Sequence, residues 1–138
     1  MPPAADKILK NSLKKTDRLK SSIEIDALYR ENRFVISYPL KCYYSFSEKT
    51  AQQNVVRVAF SVPKRIFKHA VERNRIKRRM REAYRLNYKN IFEEIITQND
   101  KQLKLFVIYV GKEVLDFANM EKNLQSVLQK VKAFSIED

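Results

Sequence analysis

Glycine, cysteine and histidine occur once each in this 138-residue chain, and tryptophan is missing altogether. Each scarcity excludes a kind of chemistry. A lone glycine, Gly111, cannot build the glycine-rich loops whose backbone amides cradle phosphates, so any anion bound here is held by side chains. A lone cysteine, Cys42, excludes an internal disulfide and a cysteine-based zinc site, and fits a reducing cytoplasm. A lone histidine, His69, leaves no histidine pair for acid–base work. Asp26, Glu72 and Glu82 are scattered along helical segments as ion-pair partners would be, not clustered to hold two metals. No set of residues here is able to cut a phosphodiester unaided, and neither a metal nor a cofactor is expected on the protein. No apolar run approaches the roughly 18 residues of a spanning helix, and the N-terminus lacks a signal-peptide core. No membrane role is expected, and the cytoplasm is the expected location.

Negative charge is also short: 28 Lys and Arg face 16 Asp and Glu, a net charge of +12. With 44% hydrophobic residues the chain is a folded domain, not a disordered basic tail, and its charge implies an anionic partner. That charge concentrates in residues 69 to 85, which carry Arg73, Arg75, Lys77, Arg78, Arg79, Arg81 and Arg85. At about 100° per residue, Ile76, Met80, Ala83 and Tyr84 fall on one stripe, the mark of a helix lying on a core. Asn74, Arg78, Arg81 and Arg85 fall within a sector of roughly 60° on the other side. A solvated face normally mixes signs to gain i,i+4 pairs, yet only Glu72 and Glu82 interrupt this one. Arginine outnumbers lysine six to one, which suits bidentate contacts to phosphate. The helix therefore reads as a nucleic-acid-binding ridge.

In chain order, residues 1 to 17 read as a basic arm, residues 18 to 134 as the folded domain and 135 to 138 as a short tail. Ser21 to Glu24 forms a capping box, with Ser21 as N-cap and Glu24 reaching back, opening a helix to about Asn32. Arg33 to Ser37 is a short strand. In the next strand Leu40, Cys42, Tyr44 and Phe46 alternate with Lys41, Tyr43 and Ser45. Residues 47 to 54 read as a polar hairpin connection, and the following strand alternates Val56, Val58, Phe60 and Val62 with Arg57, Ala59 and Ser61. Each strand thus has a core face, and a second face expected to be open. There Tyr43 offers a stacking platform for bases, flanked by Lys41 and Arg57. Lys64 and Arg65 lie in the basic loop before the long helix, and His69 at its start is a surface or phosphate-facing residue. Lys104 to Val110 is a strand buried on both faces, Gly111 turns the chain, and a last helix begins near Phe117.

The run Arg73-Asn74-Arg75-Ile76-Lys77-Arg78-Arg79-Met80-Arg81-Glu82-Ala83-Tyr84-Arg85 closely resembles the signature of the bacterial ribonuclease P protein family. Arg57-Val58-Ala59-Phe60-Ser61-Val62-Pro63-Lys64-Arg65 resembles that family's preceding strand, and Arg18-Leu19-Lys20 with Ile25 and Tyr29 its first helix. The resemblance implies an α+β single domain, α-β-β-β-α-β-α, with a four-stranded mixed sheet of the ribosomal protein S5 domain 2 type. It implies the protein subunit of a ribozyme that removes the 5′ leader of precursor tRNA, an endoribonuclease whose magnesium-dependent catalytic centre lies in the RNA subunit. The partners implied are that RNA, in 1:1 ratio, and the leader. By resemblance, Arg73, Asn74, Arg75, Lys77, Arg78, Arg79, Arg81 and Arg85, with Lys64 and Arg65, face the RNA subunit or phosphate. Ile25, Tyr29, Tyr43, Ser61 and Arg65 face the leader. The sequence departs from the family in carrying Ile25 where Phe is usual and Asn32 where Gly is frequent. Its loop at Phe67-Lys68-His69 is about one residue longer than a common form. A structural RNA-binding protein of ribosomal type, or a stand-alone nuclease, are the rival readings.

Overall fold

A computed structural model describes residues 17–48 and 55–135; residues 1–16 of the expected basic arm and 136–138 of the expected tail lie outside the described residues, while Ser135 belongs to the last helix. Helix α1 spans Ser22–Glu31, strands β1 Phe34–Ser37, β2 Leu40–Glu48 and β3 Val56–Ser61 follow, then helices α2 Ala70–Ile91 and α3 Glu93–Gln98, strand β4 Lys101–Tyr109 and helix α4 Phe117–Ser135. This is the α+β order expected, with one break at Phe92 dividing the helical stretch after the basic run.

The sheet order is β1-β2-β4-β3. β2 runs antiparallel to both β1 and β4, and β3 runs parallel to β4. The hairpin expected between β2 and β3 is therefore not formed: β4 lies between them. Its position follows from its composition, since Leu103, Leu105, Val107 and Tyr109 are fully buried on one side while Phe106 and Ile108 are half-covered on the other. A strand apolar on both faces belongs at the centre of a sheet and displaces the sequence-adjacent pairing.

The main core lies between one face of the sheet and helices α2 and α4. Leu40, Cys42, Val56, Val58 and the β4 residues meet Ile76, Met80, Ala83 and Tyr84 of α2 and Met120, Leu124, Val127, Leu128 and Val131 of α4. Burial pushes the Cys42 thiol up to about 12, so it is an inert core residue, as its strand parity indicates. The stripe read from the 3.6-residue period is the buried edge of α2.

The second face is not open. Leu19, Leu28 and Tyr43 form a separate apolar cluster with Ile25, Ala59, Phe106 and Ile108, so α1 lies across it. Ser21 caps α1 as expected, its Oγ accepting the Glu24 amide at 3.3 Å, and Asn32 ends it in the left-handed region at φ 56°. The Glu24 carboxylate does not reach back to the cap. It binds Arg57 at 3.1 Å and Lys104 at 3.0 Å. Those two cations sit directly opposite one another on β3 and β4, where like charges repel, and the carboxylate between them offsets that repulsion while clamping α1 to the sheet.

Candidate nucleic-acid interface

The basic helix sorts its arginines by angle. Arg73, in the first turn, falls in the line of the apolar stripe and Arg79 on its flank, close enough to the protein body to be used there. Arg73 donates to the carbonyls of Phe67 and Lys68 at 2.8 and 2.9 Å, closing the loop before the helix. Arg79 donates to the Leu115 carbonyl, tying α2 to the segment ahead of α4. Arg85 pairs with Glu82, whose carboxyl it holds below the usual range. Arg85 is therefore not the uncompensated ridge residue that the sequence suggested, and Arg73 and Arg79 have a structural duty.

What remains outward is a narrower set. Asn74, Arg75, Arg78 and Arg81 are exposed and Lys77 is half-buried. Among the described residues, none of these four cations has an ion-pair partner. Lys64 and Arg65 are exposed on the loop between β3 and α2, and His69 is the exposed N-cap, making no side-chain cap bond.

Beside this ridge, a groove of about 290 Å³ runs between the segment leading into α1, strand β3 and helix α2. Its floor is apolar, from Leu19, Ile25, Val58, Ala59 and Phe60, and its rim is cationic, from Arg18, Lys20 and Arg81. The rim has a simple origin. The Leu19 amide donates to the Val58 carbonyl at 2.9 Å, an added rung on the edge of β3. With Leu19 turned inward, the two-residue alternation of extended chain turns Arg18 and Lys20 outward. Arg18 and Lys20 are additions to the candidate site residues that the sequence offers. The signal was available in the pattern of an apolar residue between two cations, but the pairing with β3 was not.

The groove brings Ile25 and Arg81 to one place. Tyr29 lies over Tyr43, ring centres 5.1 Å apart, and Phe34 approaches Tyr43 edge-on at 5.5 Å. Tyr43 is thereby only 2% exposed, so the open platform expected of it is corrected: the accessible ring is Tyr29, 58% exposed. Lys41 sits with its Nζ 4.1 Å from the Phe34 ring centre, and Arg57 is taken by Glu24, so neither flanks an open Tyr43 as expected. Ser61, half-buried at the end of β3, and Arg65 lie outside the lining of this groove.

Among the described residues no group of three or more His, Cys, Asp or Glu is placed to hold a metal ion, and no helix is long and apolar enough to cross a membrane. A sequence model of the family Ribonuclease P matches residues 13–132. The chain is 34% identical over 120 residues to the ribonuclease P protein component of Porphyromonas gingivalis, covering 86% of this chain and 85% of that one. It is likewise 34% identical over 125 residues to that of Lactococcus lactis, covering 89% and 94%. The chain belongs to the ribonuclease P protein family. Its fold is that of the solved RNase P protein of Staphylococcus aureus, with a TM-score of 0.65 at 22% identity over 86% of this chain and 97% of that one. As a ribonuclease P protein it is a subunit of the holoenzyme that cleaves tRNA precursors.

Proposed function

We propose that this ribonuclease P protein grips RNA with two adjoining surfaces and leaves hydrolysis to the RNA subunit. The ridge of Arg75, Arg78 and Arg81, with Asn74, Lys77, Lys64 and Arg65 beside it, docks on the phosphates of the RNA subunit. The groove bounded by Arg18, Lys20 and Arg81, with Ile25 and Tyr29 along it, holds the single-stranded 5′ leader of precursor tRNA. Ser61 and Arg65 extend that path toward the ridge, while Tyr43 supports Tyr29 from beneath. The observation carrying this reading is the division of labour on α2: three arginines are satisfied inside the protein, and three stand outside without a carboxylate partner among the described residues. Unpaired guanidinium groups on one helix repel each other, and a polyanion relieves that repulsion.

Magnesium belongs to the RNA in this scheme, the stoichiometry is one protein per RNA, and the complex works in the cytoplasm. Arg81 faces both surfaces, so one side chain registers the leader against the RNA subunit. The test is cleavage of a precursor tRNA at low magnesium with protein alone, RNA subunit alone and both together. Activity at low magnesium only with both is expected. Cleavage by the protein alone makes it a nuclease in its own right; failure to stimulate the RNA leaves a purely structural RNA binder.

A further inference from the structure

Strands β3 and β4 run parallel, so the loops that follow them leave the sheet at the same end. The Tyr38-Pro39 turn before β2 lies at that end too, because Leu40 stands opposite Tyr109. Tyr109 holds all three connections together. Its ring packs against Phe67 of the first loop, centres 5.8 Å apart, and Gly111 abuts both that ring and Pro39. Its hydroxyl donates to the Glu113 carbonyl and accepts the Leu115 amide at 3.3 Å, fixing the second loop. Burial raises the Tyr109 pKa; the Leu115 amide opposes this and the Tyr38 hydroxyl reinforces it, which places Tyr38 near the same residue. The three connections are thereby one surface, anchored from below.

Its outer side is cationic. Lys64, Arg65 and Lys68 on the first loop and Lys112 on the second are exposed. Among the described residues none of the four has an ion-pair partner. Two carboxylates share these loops: Glu113 is exposed, while Asp116 accepts the Asn119 amide at 2.9 Å at the start of α4. Tyr38 is 66% exposed although Pro39 and Leu40 beside it are buried. A ring on a clamped turn loses little further freedom when a partner covers it. Lys64 and Arg65 already flank the ridge, and Arg73 ties their loop to α2, so the surface continues from the basic helix across the end of the sheet. Four cations alone suit any acidic partner. An open ring among them adds a stacking site, and RNA offers phosphate and base together.

We propose that the Lys112 loop and the Tyr38 turn extend the docking surface for the RNA subunit beyond the basic helix, across this end of the sheet. This rests on the ridge and the Lys64–Arg65 loop docking on that RNA. Lys112 meets a phosphate, and Tyr38 stacks on a base that the folded RNA leaves unpaired. Tyr109 touches no RNA and keeps the pieces in register.

The test measures equilibrium assembly of the full-length protein with the RNA subunit across a salt series, without precursor tRNA. Lys112→Ala weakens assembly several-fold at low salt and flattens the log–log slope by somewhat under one; Lys112→Arg keeps both. Tyr38→Ala weakens assembly about tenfold at every salt concentration and leaves the slope unchanged; Tyr38→Phe keeps the affinity. Each variant is melted beside the unaltered protein, and if Tyr38→Ala melts early, Lys112→Ala decides. Should both variants assemble as the unaltered protein does while Arg78→Ala is weakened, the extension is wrong and the ridge stands. Should Arg75→Ala and Arg78→Ala also assemble normally, the ridge reading fails and the extension goes with it. A change in the sedimentation of the protein alone, with assembly unchanged, makes the surface a contact between copies and overturns the proposal.

Discussion

Gly111 shows how a single position can be obvious in sequence without its constraint being so. As the chain's only glycine after a buried strand it reads as a turn, and its φ is not positive. Its constraint is volume. A Cβ at this position would stand 2.5 Å from Pro39 Cβ and 3.4 Å from the Tyr109 ring. The two segments are drawn together because the Val110 amide donates to the Pro39 carbonyl at 2.8 Å. Gly111→Ala is expected to cost about 1–3 kcal/mol by forcing them apart, lowering the thermal midpoint by several degrees; an unchanged midpoint in a calorimetric scan would refute the clash. The contact joins residues far apart in sequence, so no local rule reveals it. Asn32 and Ser21 are the opposite case: a cap and a left-handed terminus depend on a few neighbouring residues, and both were legible.

Elements were legible wherever one period governed them. The stripe Ile76, Met80, Ala83 and Tyr84 and the strand parity of Leu40 and Cys42 need no knowledge of partners. Pairing between elements was harder, because it depends on which strand most needs cover. The apolar character of β4 on both sides already placed it centrally, which conflicts with a β2–β3 hairpin, and the burial requirement prevails over adjacency in sequence. Glu24 illustrates the same limit: its spacing from Ser21 fits a capping box, but two cations across the sheet compete for the carboxylate. The Lys104 hydrogen bond, followed by the charges of Arg57 and Lys104, lowers its pKa against the opposing effect of burial. A carboxyl depressed on folding contributes stability that is complete above the unfolded carboxylate's range and is lost as pH falls through the folded value. Glu24→Gln is accordingly expected to lose about 1–2 kcal/mol at neutral pH, as Arg57 and Lys104 are left facing each other. That deficit closes in acid as the unaltered protein protonates. Denaturant midpoints across the acidic range check this, and a deficit independent of pH would show that Glu24 acts by packing alone.

At the scale of the whole molecule, a net charge of +12 announces an anionic partner but not where it binds. Counting arginines in the basic run does not tell which of them stand free of the protein's own acceptors, because a guanidinium with five donors serves the protein's carbonyls as readily as a phosphate. The structure separates the two uses: Arg73 and Arg79 face inward to backbone oxygens, Arg85 is paired with Glu82, and Arg75, Arg78 and Arg81 project outward. Mutation should separate them as well. Counterion release gives each lost phosphate contact a characteristic signature, a flattening of the log–log dependence of affinity on salt by somewhat under one. Arg78→Ala and Arg75→Ala are expected to flatten the slope for the RNA subunit in this way while leaving the melting temperature unaltered. Arg79→Ala frees the Leu115 carbonyl and loosens α2 from the segment before α4, so it is expected to lower the melting temperature by several degrees with little change in slope. Arg73→Ala behaves the same way through the loop at Phe67 and Lys68. If all four variants flattened the salt dependence equally and none changed the melt, the whole helix would be a uniform charged surface. The inward arginines would then have turned outward to the RNA on binding.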